Sequence, residues 1–215
     1  MNTRPPVERP NTTAVLSVTF NDDCSCFAIG LNTGFCVFNS DTCSLKSVRD
    51  FNGGVGLVQM LGKSNFVALV GGGRQPKFAH NKVIVWDDSK ARVGLEITTF
   101  TAVRNVQLTR NRVVVVLQNS VRVYAFAKPL NLLSAYETAD NLLGLCSLSE
   151  KTIAFPGRTT GQVQLVDIAT GNVSIIPAHS SALKAIKFSP DGELLATASD
   201  TVSLPTSPSY LVHLD

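Results

Sequence analysis

Three histidines, five cysteines and the adjacent aspartates Asp22 and Asp23 are the residues of this 215-residue chain best suited to chemistry. Their spacing argues against most of it. His80, His179 and His213 lie far apart, and no Gly-x-Ser-x-Gly elbow or His-Glu-x-x-His run accompanies them. Cys24-x-Cys26 is not a zinc-knuckle interval and has no histidine beside it. Cys36, Cys43 and Cys146 complete an odd set, which reads as free thiols in a reducing compartment rather than a disulfide framework or a metal site. Asp22 and Asp23 resemble an acid/base pair, but an aspartate recurs in the same setting at Asp191, so they read as turn residues. "GGGRQPKFAHNK" at 71–82 has three glycines without the spacing of a phosphate-binding loop and without a following helix. The expectation is a protein that is not an enzyme and uses no cofactor or metal.

The elements that position these residues are short strands. Runs such as Val15–Phe20, Phe66–Gly71, Lys82–Asp87, Arg112–Gln118, Leu142–Leu148 and Gln162–Ile168 are rich in β-branched and aromatic residues. Between them stand Asn-Asp-Asp at 21–23, Asn-Thr-Gly at 32–34, Thr-Gly-Asn at 170–172 and Pro-Asp-Gly at 190–192, which supply turn geometry. No stretch sustains a 3.6-residue apolar period. No run of apolar residues is long enough for a membrane-spanning helix. Met1–Asn11 is polar with three prolines, lacks the apolar centre of a signal peptide and reads as a flexible tail on a cytosolic protein. A net charge of +3 gives no compositional sign of nucleic-acid binding.

The strands repeat in fours. "VTFNDDCSCFAIG" is echoed by "IKFSPDGELLATA", so that Phe20, Asp23 and Ala28 correspond to Phe188, Asp191 and Ala196. The 168 residues from Phe20 to Phe188 hold four units of about 42 residues, the length of a propeller blade. A β-sandwich also uses short strands at regular spacing, but it has no reason to repeat its loop chemistry every four strands. The expected fold is all-β, a β-propeller of the WD-repeat type spanning residues 12–200, with four blades and the start of a fifth. In the fifth, Leu183–Phe188 and Leu194–Ala198 form strands. Pro205 and Pro208 in "TVSLPTSPSY" then deny the next strand its ladder donors. Residues 201–215 therefore read as a tail foreign to the repeat, of the kind that alternative splicing or translation through an intron would produce.

Four segments carry a family resemblance: "NGGVGLVQMLGKSNFVALVGGG" (52–73), "PKFAHNKVIVWDD" (76–88), "RNVQLTRNRVVVVLQNSVRVYAF" (104–126) and "TIAFPGRTTGQVQLVD" (152–167). Their order and spacing resemble the PROPPINs, seven-bladed WD-repeat-like propellers that bind phosphoinositides and serve autophagy. The resemblance covers roughly residues 12–200, so the seven-bladed pattern is met over about four and a half blades. It implies a peripheral protein on preautophagosomal or endolysosomal membranes that recognises phosphatidylinositol 3-phosphate or the 3,5-bisphosphate. It further implies a lipid-transfer partner of the autophagy system held by blades two and three.

In that family an Arg-Arg-Gly motif serves two headgroup pockets, each guanidinium gripping a phosphate through paired hydrogen bonds. No Arg-Arg pair occurs in these 215 residues. The resemblance leaves His179 in "PAHSSALKAI" and Ser199 in "ATAS" as the blade-five part of a pocket, with Lys184 beside them. Lipid binding by this chain is therefore expected to be impaired, and a protein-interaction scaffold without lipid binding is the alternative. The bland account of His179 is a blade-connecting histidine bonded to a neighbouring strand, and of Lys184 and Lys187 solvated strand lysines. The implied partner contact falls on Arg74, Pro76, Lys77, Phe78 and His80, with Phe78 as an exposed anchor; the bland account is a flexible loop. Trp86 is assigned to core packing. Arg104, Arg110, Arg112 and Arg122 suit either an acidic partner or a solvated edge.

Overall fold

The computed structural model describes residues 13–200 and the backbone of 209–213. Five antiparallel sheets follow one another along the chain. The first holds β1 (Val15–Phe20), β2 (Cys26–Leu31), β3 (Gly34–Asn39) and β4 (Leu45–Asp50). The second holds β5 (Val55–Met60), β6 (Phe66–Gly71), β7 (Lys82–Asp87) and β8 (Arg92–Thr98). The third holds β9 (Asn105–Leu108), β10 (Arg112–Val116), β11 (Ser120–Ala125) and β12 (Leu132–Glu137). The fourth holds β13 (Ser147–Leu148), β14 (Thr152–Pro156), β15 (Gln162–Asp167) and β16 (Val173–Pro177). The fifth holds β17 (Leu183–Phe188), β18 (Leu194–Ser199) and β19 (Ser209–His213). Each is a simple meander of neighbours.

The sheets fan out from an inner edge. β1 touches β5, β5 touches β9, and β13 touches β17, all of them first strands, so the sheets are blades arranged about an axis. Four cores lie between successive blades. Phe35 and Val37 meet Val58, Val67 and Leu69 between blades one and two. Val83, Val85 and Ile97 meet Val113 and Val115 between two and three. Val114 and Val123 meet Ile153 and Phe155 between three and four, and Val163 and Leu165 meet Ile186 and Leu195 between four and five. This explains why "VVVV" at 113–116 is apolar on both faces: one face fills each neighbouring core. Trp86 takes its expected place, edge-on to Phe51 at 5.2 Å. Among the described residues no helix is long and apolar enough to cross a membrane.

Two expected elements differ. The run Leu142–Leu148 is a strand only at Ser147–Leu148. The Asn141 amide accepts from Leu145 N and donates to Leu145 O, closing a turn that Gly144 N tightens by donating to Asn141 O. Leu142 and Leu143 are thereby lifted into solvent. In the fifth blade, β19 follows Pro208 and pairs with β18, Leu194 opposite His213 and Ala198 opposite Ser209. The prolines thus precede the ladder instead of interrupting it. The tails assigned to residues 1–11 and 201–215 otherwise lie outside the described residues.

The turn echo between blades is physical. Asp23 accepts from the Ser25 amide and hydroxyl, and Asp191 accepts from the Glu193 amide and the Ser189 hydroxyl. Both aspartates close the connection between a first and a second strand, as the structural reading requires.

Candidate headgroup and partner sites

In an antiparallel meander, the connections after the second and fourth strands emerge at the same end. That end carries segments 72–81, 99–104, 138–146, 157–161 and 178–182. His179 lies in the last of these. Its amide donates to Gly161 O at 3.0 Å, and Gly161, at φ +81°, leaves no room for a Cβ against the His179 carbonyl. The imidazole Nε2 sits 3.0 Å from the Thr197 hydroxyl, which is buried. Ser199 lies two residues farther along β18, so it shares a face with Thr197.

Lys184 reaches the same edge through a β-bulge. Leu183 pairs with Ser199 and Ala185 with Ala198, so Lys184 is the extra residue. His179, Lys184 and Ser199 thus converge on the end of blade five. The fold adds a counter-charge that sequence reasoning did not single out: Lys184 Nζ is 2.9 Å from Asp200 Oδ2. An anionic ligand there competes with a carboxylate already in place. The signal for Asp200 was its adjacency to Ser199 in "ATASD". Lys187 lies exposed on the opposite face of β17, close enough to counter the burial that raises the Asp22 pKa.

Segment 71–82 is tied down rather than flexible. Gly54 and Pro76 form a parallel bridge, Lys77 N donates to Gly54 O at 2.9 Å, and Lys77 Nζ donates to Phe51 O at 3.0 Å. Phe78 is not the exposed anchor expected. It is half-buried and packs edge-on to Phe51 at 5.9 Å, because the bridge turns it back onto the core. Arg74, Pro76, Lys77 and His80 are exposed. This segment belongs to blade two, and the His179 edge to blade five, so the two candidates are separate, at one end of the molecule.

The arginines of blade three are mostly structural. Arg112 donates to Ile168 O of blade four at 2.7 Å. Arg104 donates to Gln118, which donates to Asp140. The Arg122 guanidinium lies 5.8 Å from the ring centre of Phe100. Among the described residues, no group of three His, Cys, Asp or Glu side chains could hold a metal ion.

The PROPPIN family model matches residues 14–206. The chain belongs to the PROPPIN family. It is 56% identical over 201 residues to SVP1-like protein 2 of Neurospora crassa, covering 93% of this chain and 47% of that protein. The chain thus spans about half the length of this curated relative. Its fold is similar to that of Kluyveromyces lactis Hsv2, with a TM-score of 0.77 at 20% identity, over 87% of this chain and 58% of that one. It is also similar to KlAtg21 in a complex with the coiled coil of AgAtg16, with a TM-score of 0.66 at 22% identity, over 86% of this chain and 63% of that one. The five sheets are blades of a WD-repeat-type propeller, an incomplete one.

Proposed function

We propose that the protein is a non-enzymatic phosphoinositide effector of autophagy. In this reading the headgroup of phosphatidylinositol 3-phosphate or the 3,5-bisphosphate is met at the end of blade five. His179 and Ser199 supply hydrogen-bond donors and Lys184 supplies charge. The observation that supports the reading is that these three residues lie at one end of blade five, placed there by the Gly161 contact and the Lys184 bulge, in a chain of PROPPIN membership. The exposed residues of segment 74–80 present blade two to a protein partner, a lipid-transfer protein of the same process. The setting is cytoplasmic, on the surface of preautophagosomal or endolysosomal membranes.

Lipid affinity in this chain is low. The 215 residues hold no adjacent arginines, and Asp200 already neutralises Lys184. The second reading, a scaffold that binds protein and no lipid, is favoured by that ion pair and by the engagement of His179 with Thr197.

Flotation of the chain with vesicles of phosphatidylcholine, with and without phosphatidylinositol 3-phosphate, separates the two. Weak flotation that requires the phosphoinositide, rises in Asp200→Asn and falls in Lys184→Glu supports the headgroup site. Flotation indifferent to these substitutions, or none at any lipid density, leaves the scaffold.

A further inference from the structure

The opposite end of the molecule holds a second chemical site, in blade one. Cys26 opens β2 and is buried. Lys46 Nζ lies 3.4 Å from its sulfur. Across β3 and β4, Val37 pairs with Ser47 and Phe38 with Leu45, which leaves Lys46 as the extra residue of a bulge. The bulge turns Lys46 from the open face of the blade to the face that meets blade two. There it lines a cleft of about 190 Å³ with Cys26, Lys63 and Asn65.

The slot itself recurs. In blade two the bulged residue is Gly94 and in blade three Leu133. The residue opening the second strand is Phe66 in blade two and Arg112 in blade three. A Cβ on Gly94 would stand 3.6 Å from the Phe66 ring, and Arg112 and Leu133 line one cleft. The fold therefore brings these two positions together in blades one, two and three, while β15 and β16 of blade four pair without a bulge. Among the described residues, only in blade one does the slot hold an amine against a thiol. The other buried thiols, Cys36 and Cys146, have no lysine contact of this kind among the described residues.

We propose that Cys26 and Lys46 form a peroxide-driven covalent cross-link. Hydrogen peroxide is small enough for the cleft. The Cys26 sulfur attacks one peroxide oxygen, the O–O bond breaks, and the thiol becomes a sulfenic acid with release of one water. The deprotonated Lys46 nitrogen then attacks that sulfur, the S–O bond breaks, and hydroxide leaves with the proton lost from nitrogen as a second water. The sum is thiol, amine and one peroxide giving a sulfenamide and two waters. Sulfur is oxidised by two electrons and the peroxide is reduced by two. A small thiol reverses the link by attacking sulfur and expelling the amine. The bond clamps β2 to β4 across β3 and seals the cleft between blades one and two.

The test uses the full chain in a Cys24→Ser/Cys43→Ser background, which removes the two exposed thiols. After hydrogen peroxide treatment, mass spectrometry should find the peptides of Cys26 and Lys46 joined, with a net loss of about 2 Da. Trypsin should no longer cut after Lys46, and dithiothreitol should restore the cut. Lys46→Arg keeps the charge and supplies no amine, so it should show Cys26 oxidised to higher acids with no joined peptide. Folding of each variant is checked by its unfolding midpoint before treatment. Cys26 oxidised beside a freely cleaved Lys46 in the parent chain overturns the proposal, as does a Cys26 unreactive to peroxide in a folded protein.

Discussion

Gly161→Ala should loosen the edge that carries His179, and Gly171→Ala measures how much of that effect is local strain. The two glycines have nearly the same left-handed backbone, φ +81° and +75°. Their surroundings differ completely. A Cβ at Gly171 meets nothing within 4 Å, whereas one at Gly161 would meet the His179 carbonyl oxygen and the Ser181 carbonyl oxygen, both backbone. At Gly171 the cost is therefore the left-handed conformation alone, about 1–2 kcal/mol. At Gly161 the same strain applies. The loop must also withdraw and lose the bond from His179 N to Gly161 O, worth ~0.5–1.5 kcal/mol. Gly161→Ala should thus cost about 3 kcal/mol. At roughly 2–4 °C per kcal/mol for a chain of this length, that lowers Tm by about 8 °C, against about 4 °C for Gly171→Ala. Thermal unfolding followed by circular dichroism reads both. Amide exchange adds a local readout: the His179 amide should lose protection in Gly161→Ala and keep it in Gly171→Ala. Equal losses for the two variants, with His179 protected in both, would refute the argument that close backbone approach positions this histidine.

Asp88 joins blades one and two by accepting from Arg49 Nε at 2.7 Å, Ser47 Oγ at 2.8 Å and Trp86 Nε1 at 3.1 Å. Asp88→Ala should cost about 2 kcal/mol in urea unfolding, with a coupling to Arg49→Ala of about 1 kcal/mol in a double-mutant cycle, since Arg49 is partly exposed. Alkylation by iodoacetamide at pH 8 should label Cys24 and Cys43 first, because both are exposed. Cys146 should stay unlabelled until unfolding, because burial pushes its pKa up to about 12. Acid should weaken the fold through Asp23, whose pKa is held below its ordinary 3.8 by hydrogen bonds from Lys63 and Ser25. Its contribution is present above that ordinary value and is lost as pH falls toward the folded one, so Asp23→Asn should flatten the fall in the urea midpoint below about pH 4. Asp22 has the opposite sign: burial raises its pKa, its contribution is greatest in acid, and Asp22→Asn should steepen that fall.

Most of the fold is legible because strands and turns use different chemistry. Phe66–Gly71, Lys82–Asp87 and Leu183–Phe188 have the bounds that their apolar runs and flanking turn residues dictate. The repeat is legible because its turns depend on one carboxylate doing one job, at Asp23 and again at Asp191. Leu142–Leu148 is misread for a local reason. Its leucines are right for a strand, yet an Asn side chain bonding four residues ahead outcompetes the ladder. Phe78 is misread for a distant one: the bridge from Gly54 to Pro76 spans 22 residues and leaves no periodic trace. The Asp200 counter-charge is half legible: its place beside Ser199 is written in the sequence, but a lysine 16 residues away gives no sign there that it turns toward it.

The site residues that matter most are those where strand alternation fails. Between first and second strands a bulge falls at Leu16, Gly56 and Lys184 in blades one, two and five. Between third and fourth strands it falls at Lys46, Gly94 and Leu133. An extra residue reverses every side chain beyond it, so a period-two reading assigns the wrong face at these points. The blade tolerates glycine or leucine there, which shows that its packing does not demand a charge. Lysine at position 184 then places an ammonium beside Ser199 and Asp200 at one end, and lysine at position 46 places one beside Cys26 at the other. Exchanging the residues tests this directly. Lys184→Leu should leave the unfolding midpoint within about 0.5 kcal/mol of the parent, since the slot already accepts leucine and the exposed ion pair is worth little. The same variant should abolish whatever phosphoinositide-dependent flotation the chain shows. A large loss of stability would mean that the lysine holds the blade together, and that its place in the bulge is structural rather than a device for presenting charge.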